Sequence, residues 1–141
     1  MFKNIRYLLS KLGSTDISSI GDGSVTGALS SLNNNLTVTA GELQISSGWT
    51  TTAKWVKRTG KVVEFYTELS GGSLIANGWT TIATFPAGYQ PNAAFDFTGL
   101  DNKTGGAIQT KVNSSSNALQ IYSLSSQTNA NLRLHGLYII A

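Results

Sequence analysis

The spacing of apolar residues changes near residue 40. Before that point apolar residues recur three or four positions apart, which is the spacing of one face of an α-helix. After it they alternate with polar residues, which is the pattern of a half-buried β-strand. The sequence therefore predicts a helical segment over residues 1–40 and a β-domain over residues 41–141.

The first helix is predicted over residues 2–12, and Gly13 is its C-terminal stop. Ser14 or Thr15 is expected to cap a short helical turn over residues 17–20. The apolar face of the first helix consists of Phe2, Ile5, Leu8, Leu9 and Leu12. A face of this kind needs a partner surface, because an isolated helix of this length is marginal in water.

A further helix is indicated by the 4-3-4 spacing of Val25, Leu29, Leu32 and Leu36, which is the a/d pattern of a coiled-coil seam. Residues 26–35 are otherwise poor helix formers. Two interpretations remain open. The helix packs on its own domain, or it forms a short seam with copies of itself. In both, something outside the helix must stabilise it.

Short alternating segments separated by Gly, Ser and Asn turns dominate the rest of the chain. Strands are predicted at 43–47, 52–57, 61–69, 79–85, 94–100, 107–113, 118–124 and 131–140. Strands of this length and spacing favour an antiparallel β-sandwich or jelly roll. The last strand ends in Leu137-Tyr138-Ile139-Ile140, which is apolar on both faces, so we expect a neighbouring subunit to cover it.

One hairpin can be assigned a register from the sequence. A three-residue loop over 58–60 would place Gly60 in the left-handed position of a bulged turn. Trp55 would then face Val63, and Lys54 would pair with Glu64 on the solvent side. The predicted core face consists of Ala53, Trp55, Val63 and Phe65. A slip of one residue would reverse the two faces, so this register is a strict prediction.

The amino-acid composition excludes several classes of functional site. The 141-residue chain has 12% charged residues, no Cys, one His and seven carboxylates. It therefore has no disulfides and no cysteine nucleophile, and it lacks the His and Cys ligands of the usual zinc sites. We predict no metal and no cofactor. The composition argues against most enzymes and favours a binding or structural module.

The net charge of +3 is spread thinly. The basic residues Lys54, Lys57, Arg58 and Lys61 are interpreted as a solvated hairpin end, because nucleic-acid sites normally show a dense basic stripe. The N-terminal apolar run is broken by Lys11, so we expect no signal peptide. No apolar stretch approaches a membrane span. We predict neither nucleic-acid binding nor membrane insertion.

Three segments carry a resemblance to a known family. Residues 75–91, Ile-Ala-Asn-Gly-Trp-Thr-Thr-Ile-Ala-Thr-Phe-Pro-Ala-Gly-Tyr-Gln-Pro, resemble a G-W-x-x-I-A-x-L-P-x-G-Y-x-P stretch of phage structural proteins. The hairpin over 55–63 and the connector over 16–29 are similar to neighbouring elements of the same proteins. The stretch lies in the β-rich head domain of tail-tip receptor-binding proteins, in tail fibres or baseplates, from phages of Gram-positive bacteria.

This resemblance implies a homotrimeric virion protein of the phage tail, with a short helical stem and a β-sandwich head. Such a protein is made in the cytoplasm of the host bacterium. The heads of this family commonly bind cell-surface saccharides of the host. We also expect the N-terminal helix to dock on another tail or baseplate protein, or on its own trimer.

Saccharide sites combine aromatic faces with amide, carboxylate and hydroxyl groups. Trp49, Trp55 and Trp79 are interpreted as structural, whereas Tyr89 is either a ligand contact or a lid on the core. The candidate ligand-binding residues are Tyr89, Asp101, Asn102, Tyr122, Arg133 and His135. His135 could meet two symmetry mates on a threefold axis, although a partly exposed His beside Arg133 is the favoured interpretation.

Two alternatives to saccharide binding are a purely structural virion component and a tail-associated glycan hydrolase. Glu64 and Glu68 share one strand face, and two carboxylates are the minimum for a glycosidase. However, Glu64 is expected to pair with Lys54, and the sequence has no Gly-x-Ser-x-Gly elbow. We therefore predict that the protein is not an enzyme.

Overall fold

The computed structural model describes residues 23–140. The chain divides into two compact units, one ending at Thr37 and the other beginning at Val38. The helix predicted over 2–12, its Gly13 stop and the turn over 17–20 lie outside the described residues. Each unit is described separately below.

The helix α1 spans Val25–Leu36 and confirms the helix expected from the 4-3-4 spacing. Ser24 caps its N-terminus by accepting a hydrogen bond from the Gly27 N–H at 2.9 Å, and the Thr37 N–H bonds to the Asn33 carbonyl at 2.9 Å. No residue of the helix is buried. Its four seam residues, Val25, Leu29, Leu32 and Leu36, are 55–66% exposed. The apolar seam is therefore exposed among the described residues.

The strands found among residues 23–140 are β1 (Val38–Gly41), β2 (Gln44–Ile45), β3 (Thr50–Thr59), β4 (Val62–Ser70), β5 (Gly78–Thr84), β6 (Phe95–Asp101), β7 (Gly106–Val112), β8 (Ala118–Ser123) and β9 (Asn131–Ile139). These nine strands form one antiparallel sheet in the order β1-β3-β4-β9-β6-β7-β8-β5-β2. The mainly antiparallel β class is confirmed, and each predicted strand overlaps an observed one. Strand β1 was not predicted, because it is short and largely exposed at the sheet edge.

The sheet curls around one apolar core, consistent with a β-sandwich. Phe65 of β4 lies near the middle of it, with ring centroids 5.0 Å from Phe85, 5.4 Å from Phe97 and 6.3 Å from Tyr138. Phe85 follows β5, which is far from β4 in the strand order, so the curl brings the two halves of the sheet face to face. Burial alternates strictly along β9, and its odd-numbered residues point outward.

The register predicted for the β3–β4 hairpin is wrong by three positions. Thr59 pairs with Val62, which leaves the two-residue turn Gly60-Lys61, and Gly60 has the expected positive φ of 57°. Glycine at the first turn position is typical of a type II′ hairpin, whose twist matches that of the strands. The shift is odd, so it exchanges the faces of β3: Val56 is buried in the core, and Trp55 lies on the outward face.

The predicted Lys54–Glu64 pair is also wrong, for the same reason. Lys54 forms its ion pair with Glu42 at 2.8 Å, and Glu64 instead contacts His135 at 2.9 Å. Thr67, which pairs with Lys54 in the observed register, is fully buried. Trp49 packs against the core, in agreement with its structural interpretation.

Candidate functional site

Three rings cluster on the outward face of β3, β4 and β9. Trp55 is opposite Tyr66 on β4, and Tyr66 is opposite His135 on β9. The ring centroids of Trp55 and Tyr66 are 6.2 Å apart with the planes at 20°, and the His135 centroid lies 6.0 Å from Trp55 and 6.4 Å from Tyr66. The three centroids therefore form a triangle with nearly equal sides. We call Trp55, Tyr66 and His135, which occupy a row of positions across the three strands, the ring row.

A carboxylate with three hydrogen-bond donors lies beside the ring row. Glu68 is opposite Arg133 in the β4–β9 register. Its carboxylate accepts hydrogen bonds from the Tyr66 hydroxyl, from Arg133 Nε at 2.9 Å and from Thr52 Oγ1 at 3.2 Å. The Tyr66 hydrogen bond, with those from Thr52 and Arg133, lowers the pKa of Glu68 against the opposing effect of desolvation. Glu68 is therefore held in its charged form.

A second carboxylate, that of Glu64, lies on the opposite side of the ring row from Glu68. Glu64 Oε1 is 2.9 Å from His135 Nε2, and both side chains are about half exposed. The ammonium group of Lys57, which is opposite Glu64, lies 5.1 Å from the Trp55 ring centroid. Exposed ion pairs contribute little to stability, so the main effect of these contacts is to orient the polar groups around the rings.

Two of the predicted ligand-binding residues, Arg133 and His135, therefore meet on this face. Three residues that the sequence analysis did not select, namely Trp55, Tyr66 and Glu68, complete it. Trp55 was missed because the hairpin register was wrong. A signal for Tyr66 was present, because it alternates with the core residue Phe65 and must face outward in any register.

Tyr89 lies in the core and is 7% exposed. Its hydroxyl donates to the Thr39 carbonyl at 3.1 Å, and its own carbonyl accepts a hydrogen bond from Tyr138. Burial raises the pKa of the Tyr138 hydroxyl well above its ordinary value. Of the two roles considered for Tyr89, the structure places it as a lid that closes the core.

Asp101 is buried, at 2% exposure, and organises the β6–β7 turn. One carboxylate oxygen accepts from the Lys103 N–H at 2.9 Å, and the other accepts from Thr104 Oγ1 at 2.9 Å and Gln127 Nε2 at 3.2 Å. Burial alone would raise the pKa of Asp101, but these hydrogen bonds outweigh it and hold the pKa below its ordinary value. Both oxygens are therefore engaged within the protein.

Replacing Asp101 with Asn is expected to lower the free energy of unfolding at neutral pH by about 1–3 kcal/mol, because an amide cannot satisfy the same donors. The folded-state pKa is depressed, so the charged carboxylate stabilises the fold above its unfolded pKa and loses that effect as pH falls through the folded pKa. The difference in the free energy of unfolding between wild type and variant, measured by urea denaturation, should be smaller at about pH 3 than at pH 7. Asp96→Asn, on an exposed position, is the control.

The remaining candidates lie away from the ring row. Asn102 donates to Asn131 Oδ1 at 3.1 Å, which ties the β6–β7 turn to the start of β9. Tyr122 is half-buried on the outward face of β8, with its ring centroid 5.4 Å from that of Trp79. Tyr122 and Asp101 both line a cavity at one end of the sheet, while Trp79 does not.

Across residues 23–140, no three His, Asp or Glu side chains come together as potential metal ligands. In the same part of the chain, no helix combines the length and apolar character needed to cross a membrane.

No family model and no curated protein matches the sequence. Eleven chains of solved structures match in fold, among them two phage proteins. The head domain of lactococcal phage bIL170, a receptor binding domain, superposes with a TM-score of 0.61 at 14% identity over 74% of this chain and 100% of its own. This chain has the fold of a phage receptor-binding head. The receptor binding protein (gp15) of Listeria phage PSA matches with a TM-score of 0.60 at 15% identity, over 92% of this chain and 88% of its own.

Both structures come from phages of Gram-positive bacteria, as the resemblance of residues 75–91 implied, and both are receptor-binding proteins. The shared fold covers most of the described β-domain. The curled antiparallel sheet is consistent with the β-sandwich expected from the strand pattern.

Proposed function

We propose that this chain is the receptor-binding head of a phage tail protein, and that its ring row binds a saccharide on the host cell surface. The observation that carries the proposal is the ring row itself. Three rings cluster on the outside of a fold shared with phage receptor-binding heads, and charged groups flank the cluster. In this proposal the protein resides in the virion tail.

The chemistry of the face suits a sugar. The apolar C–H surface of a sugar ring packs against an aromatic face, and hydroxyl groups bond to side chains at the edge. Arg133 uses its Nε for Glu68, which leaves its terminal amino groups as donors for sugar hydroxyls. Glu64 engages His135 through one oxygen, so its other oxygen can accept from the sugar. The site therefore offers stacking, donors and acceptors together.

Glu68 does not fit the role of the general acid in a glycosidase. That carboxyl group must stay protonated, which requires a raised pKa. The pKa of Glu68 is lowered instead, because its hydrogen bonds favour the charged form. The function proposed for this face is therefore binding and not hydrolysis.

The proposal includes a homotrimer. The seam of α1 is apolar and exposed, and a seam of under two heptads needs partner helices to be stable. On the β-domain, Val62, Leu137 and Ile139 form a separate exposed apolar strip on β4 and β9. Three copies would cover both surfaces. Residues 1–13 would then attach the trimer to another tail or baseplate protein.

Trp55→Ala is the variant that tests saccharide binding. Wild-type protein should bind cell-wall polysaccharide from Gram-positive bacteria, and members of a bacterial glycan array. Loss of the Trp55 stacking surface should weaken binding about ten- to a hundredfold, as expected for removing roughly 1.5–3 kcal/mol of aromatic contact.

Trp79→Ala is the matched control, since it removes an outward tryptophan that lies outside the ring row and should leave binding unchanged. Equal binding by wild type and Trp55→Ala would exclude the ring row as the saccharide-binding site. Absence of wild-type binding to every polysaccharide and glycan would favour the purely structural alternative.

A further inference from the structure

The sequence contains one Asn-Gly dipeptide, Asn77-Gly78, and it lies at the start of β5. The backbone nitrogen of the residue after an asparagine can attack the side-chain amide. Glycine permits this attack most readily, because it has no Cβ to obstruct the approach. Asparagine is accordingly one of the thermolabile residues of proteins. The dipeptide is therefore a candidate for spontaneous modification in the folded protein.

The fold leaves the Asn77 side chain in solvent. Asn77 is exposed and has a left-handed backbone conformation, with φ at 51°, in the turn that precedes β5. Asparagine is one of the few residues other than glycine that tolerates this conformation. Its side chain makes no hydrogen bond with any of residues 23–140. Within that part of the chain, no hydrogen bond holds the Asn77 amide away from the backbone of Gly78.

Local packing favours glycine at position 78. A Cβ added there would lie 2.7 Å from Ile75 Cδ1 and 3.0 Å from Ile75 Cγ1, so Ile75 would have to move. The turn thus combines an asparagine that suits a positive φ with a glycine that leaves room for Ile75. Structural requirements of the turn therefore place the two reactive residues next to each other.

Two other asparagines have the same backbone conformation without the glycine. Asn117 and Asn129 have φ values of 54° and 52°, and each is followed by alanine. Asn129 is exposed, as Asn77 is. The nitrogen of Ala130, which would have to attack the Asn129 amide, donates to the Gly72 carbonyl at 2.9 Å. Asn129 is therefore a matched internal reference for Asn77.

We propose that Asn77 is a site of spontaneous deamidation in the folded head. The Gly78 nitrogen gives its proton to water and bonds to the side-chain carbonyl carbon of Asn77. The bond from that carbon to the side-chain nitrogen breaks, ammonia leaves, and a succinimide ring remains. Water then opens the ring at one of its two carbonyl carbons, which gives aspartate or isoaspartate. Water is the only co-reactant, and the proposal is independent of the function proposed for the ring row.

The isoaspartate product changes the backbone. The chain then runs through the former side chain, which adds one methylene group before Gly78 and leaves a free carboxylate. This change comes at the start of β5, where Gly78 pairs with Ser123 and Trp79 pairs with Tyr122. We expect the first pairs of the β5–β8 ladder to open, so the modified head is less stable than the unmodified one.

The test is incubation of the purified full chain at mildly alkaline pH, with samples taken over several weeks for peptide mapping by mass spectrometry. Exchange of the side-chain NH2 for OH should accumulate at least about tenfold faster at Asn77 than at Asn129, because only Asn77 is followed by glycine. A rate at Asn77 no greater than that at Asn129 would overturn the proposal.

The tryptic peptide over residues 62–103, incubated alone, is the unfolded reference. Conversion of Asn77 in both the peptide and the folded chain supports the proposal. Conversion in the peptide but not in the folded chain would show that the fold protects Asn77, and it would overturn the proposal.

Asn77→Gly separates deamidation from other ageing of the sample. This variant removes the reactive amide and keeps a residue that suits a positive φ. The Tm of wild type should fall during the incubation, whereas the Tm of Asn77→Gly should not change. An equal fall in both proteins would overturn the destabilising effect assigned to isoaspartate at position 77.

Discussion

Phe65→Ala is expected to lower the free energy of unfolding by about 3–5 kcal/mol, which is the usual cost of removing a buried phenylalanine. Phe65 is fully buried and contacts three other rings, so truncation leaves a cavity that these rings cannot fill without moving. Phe65 also covers Gly136, its partner on β9, where an added Cβ would lie 2.5 Å from the Phe65 ring. The variant therefore loses packing on two strands at once.

Chemical denaturation of the purified protein measures this effect. Leu124→Ala, at a 78% exposed position outside the strip of Val62, Leu137 and Ile139, is the control and should change the free energy of unfolding by less than about 0.5 kcal/mol. If Phe65→Ala cost no more than the control, Phe65 would not be a central residue of the core. A trimer adds association free energy, so both variants are compared at one protein concentration.

Replacing both Leu29 and Leu32 with Asp is expected to reduce the solution mass from three chains to one. In the proposed trimer these side chains meet copies of themselves, and charges buried there without partners would prevent association. Both residues are exposed in the single chain, so the β-domain should remain folded. Light scattering measures the mass, and circular dichroism checks the fold.

Ser31→Asp with Asn34→Asp is the matched control, because both positions lie on α1 but outside its 4-3-4 seam. This variant should retain the wild-type mass. A monomeric wild type would rule out the homotrimer. A trimeric Leu29→Asp/Leu32→Asp variant would instead assign association to another surface, such as the strip of Val62, Leu137 and Ile139.

The local pattern of apolar and polar residues was enough to locate most of the strands and the helix α1. Alternation of apolar and polar residues located eight strands, and burial alternates most clearly along β4, β7 and β9. The 4-3-4 spacing located α1. The hairpin register failed because Arg58 and Thr59 were assigned to the loop, although both continue β3. Propensity does not distinguish a polar strand end from a turn. An error of three positions then moved Trp55 from the outside to the core.

The site was harder to predict than the strands. Its geometry depends on the pairing of β4 with β9, two strands far apart in the sequence, and nothing local specifies that contact. Arg133 and His135 were selected because they face outward on an apolar strand. Their partners Glu68 and Tyr66 could be assigned to them only once the strand order was known.

The position of β9 also affects how the protein folds. Among residues 23–140, β9 is the only strand that pairs with both the β1-β3-β4 group and the group running from β6 to β2. The ribosome delivers β9 after the other eight strands, so the strand pairing between the two groups forms late. Such long-range pairing gives a high contact order and folding on the millisecond-to-second scale. Until β9 inserts, β4 and β6 are unpaired edges in addition to the outer edges β1 and β2, which makes this interval the one in which chaperones matter most.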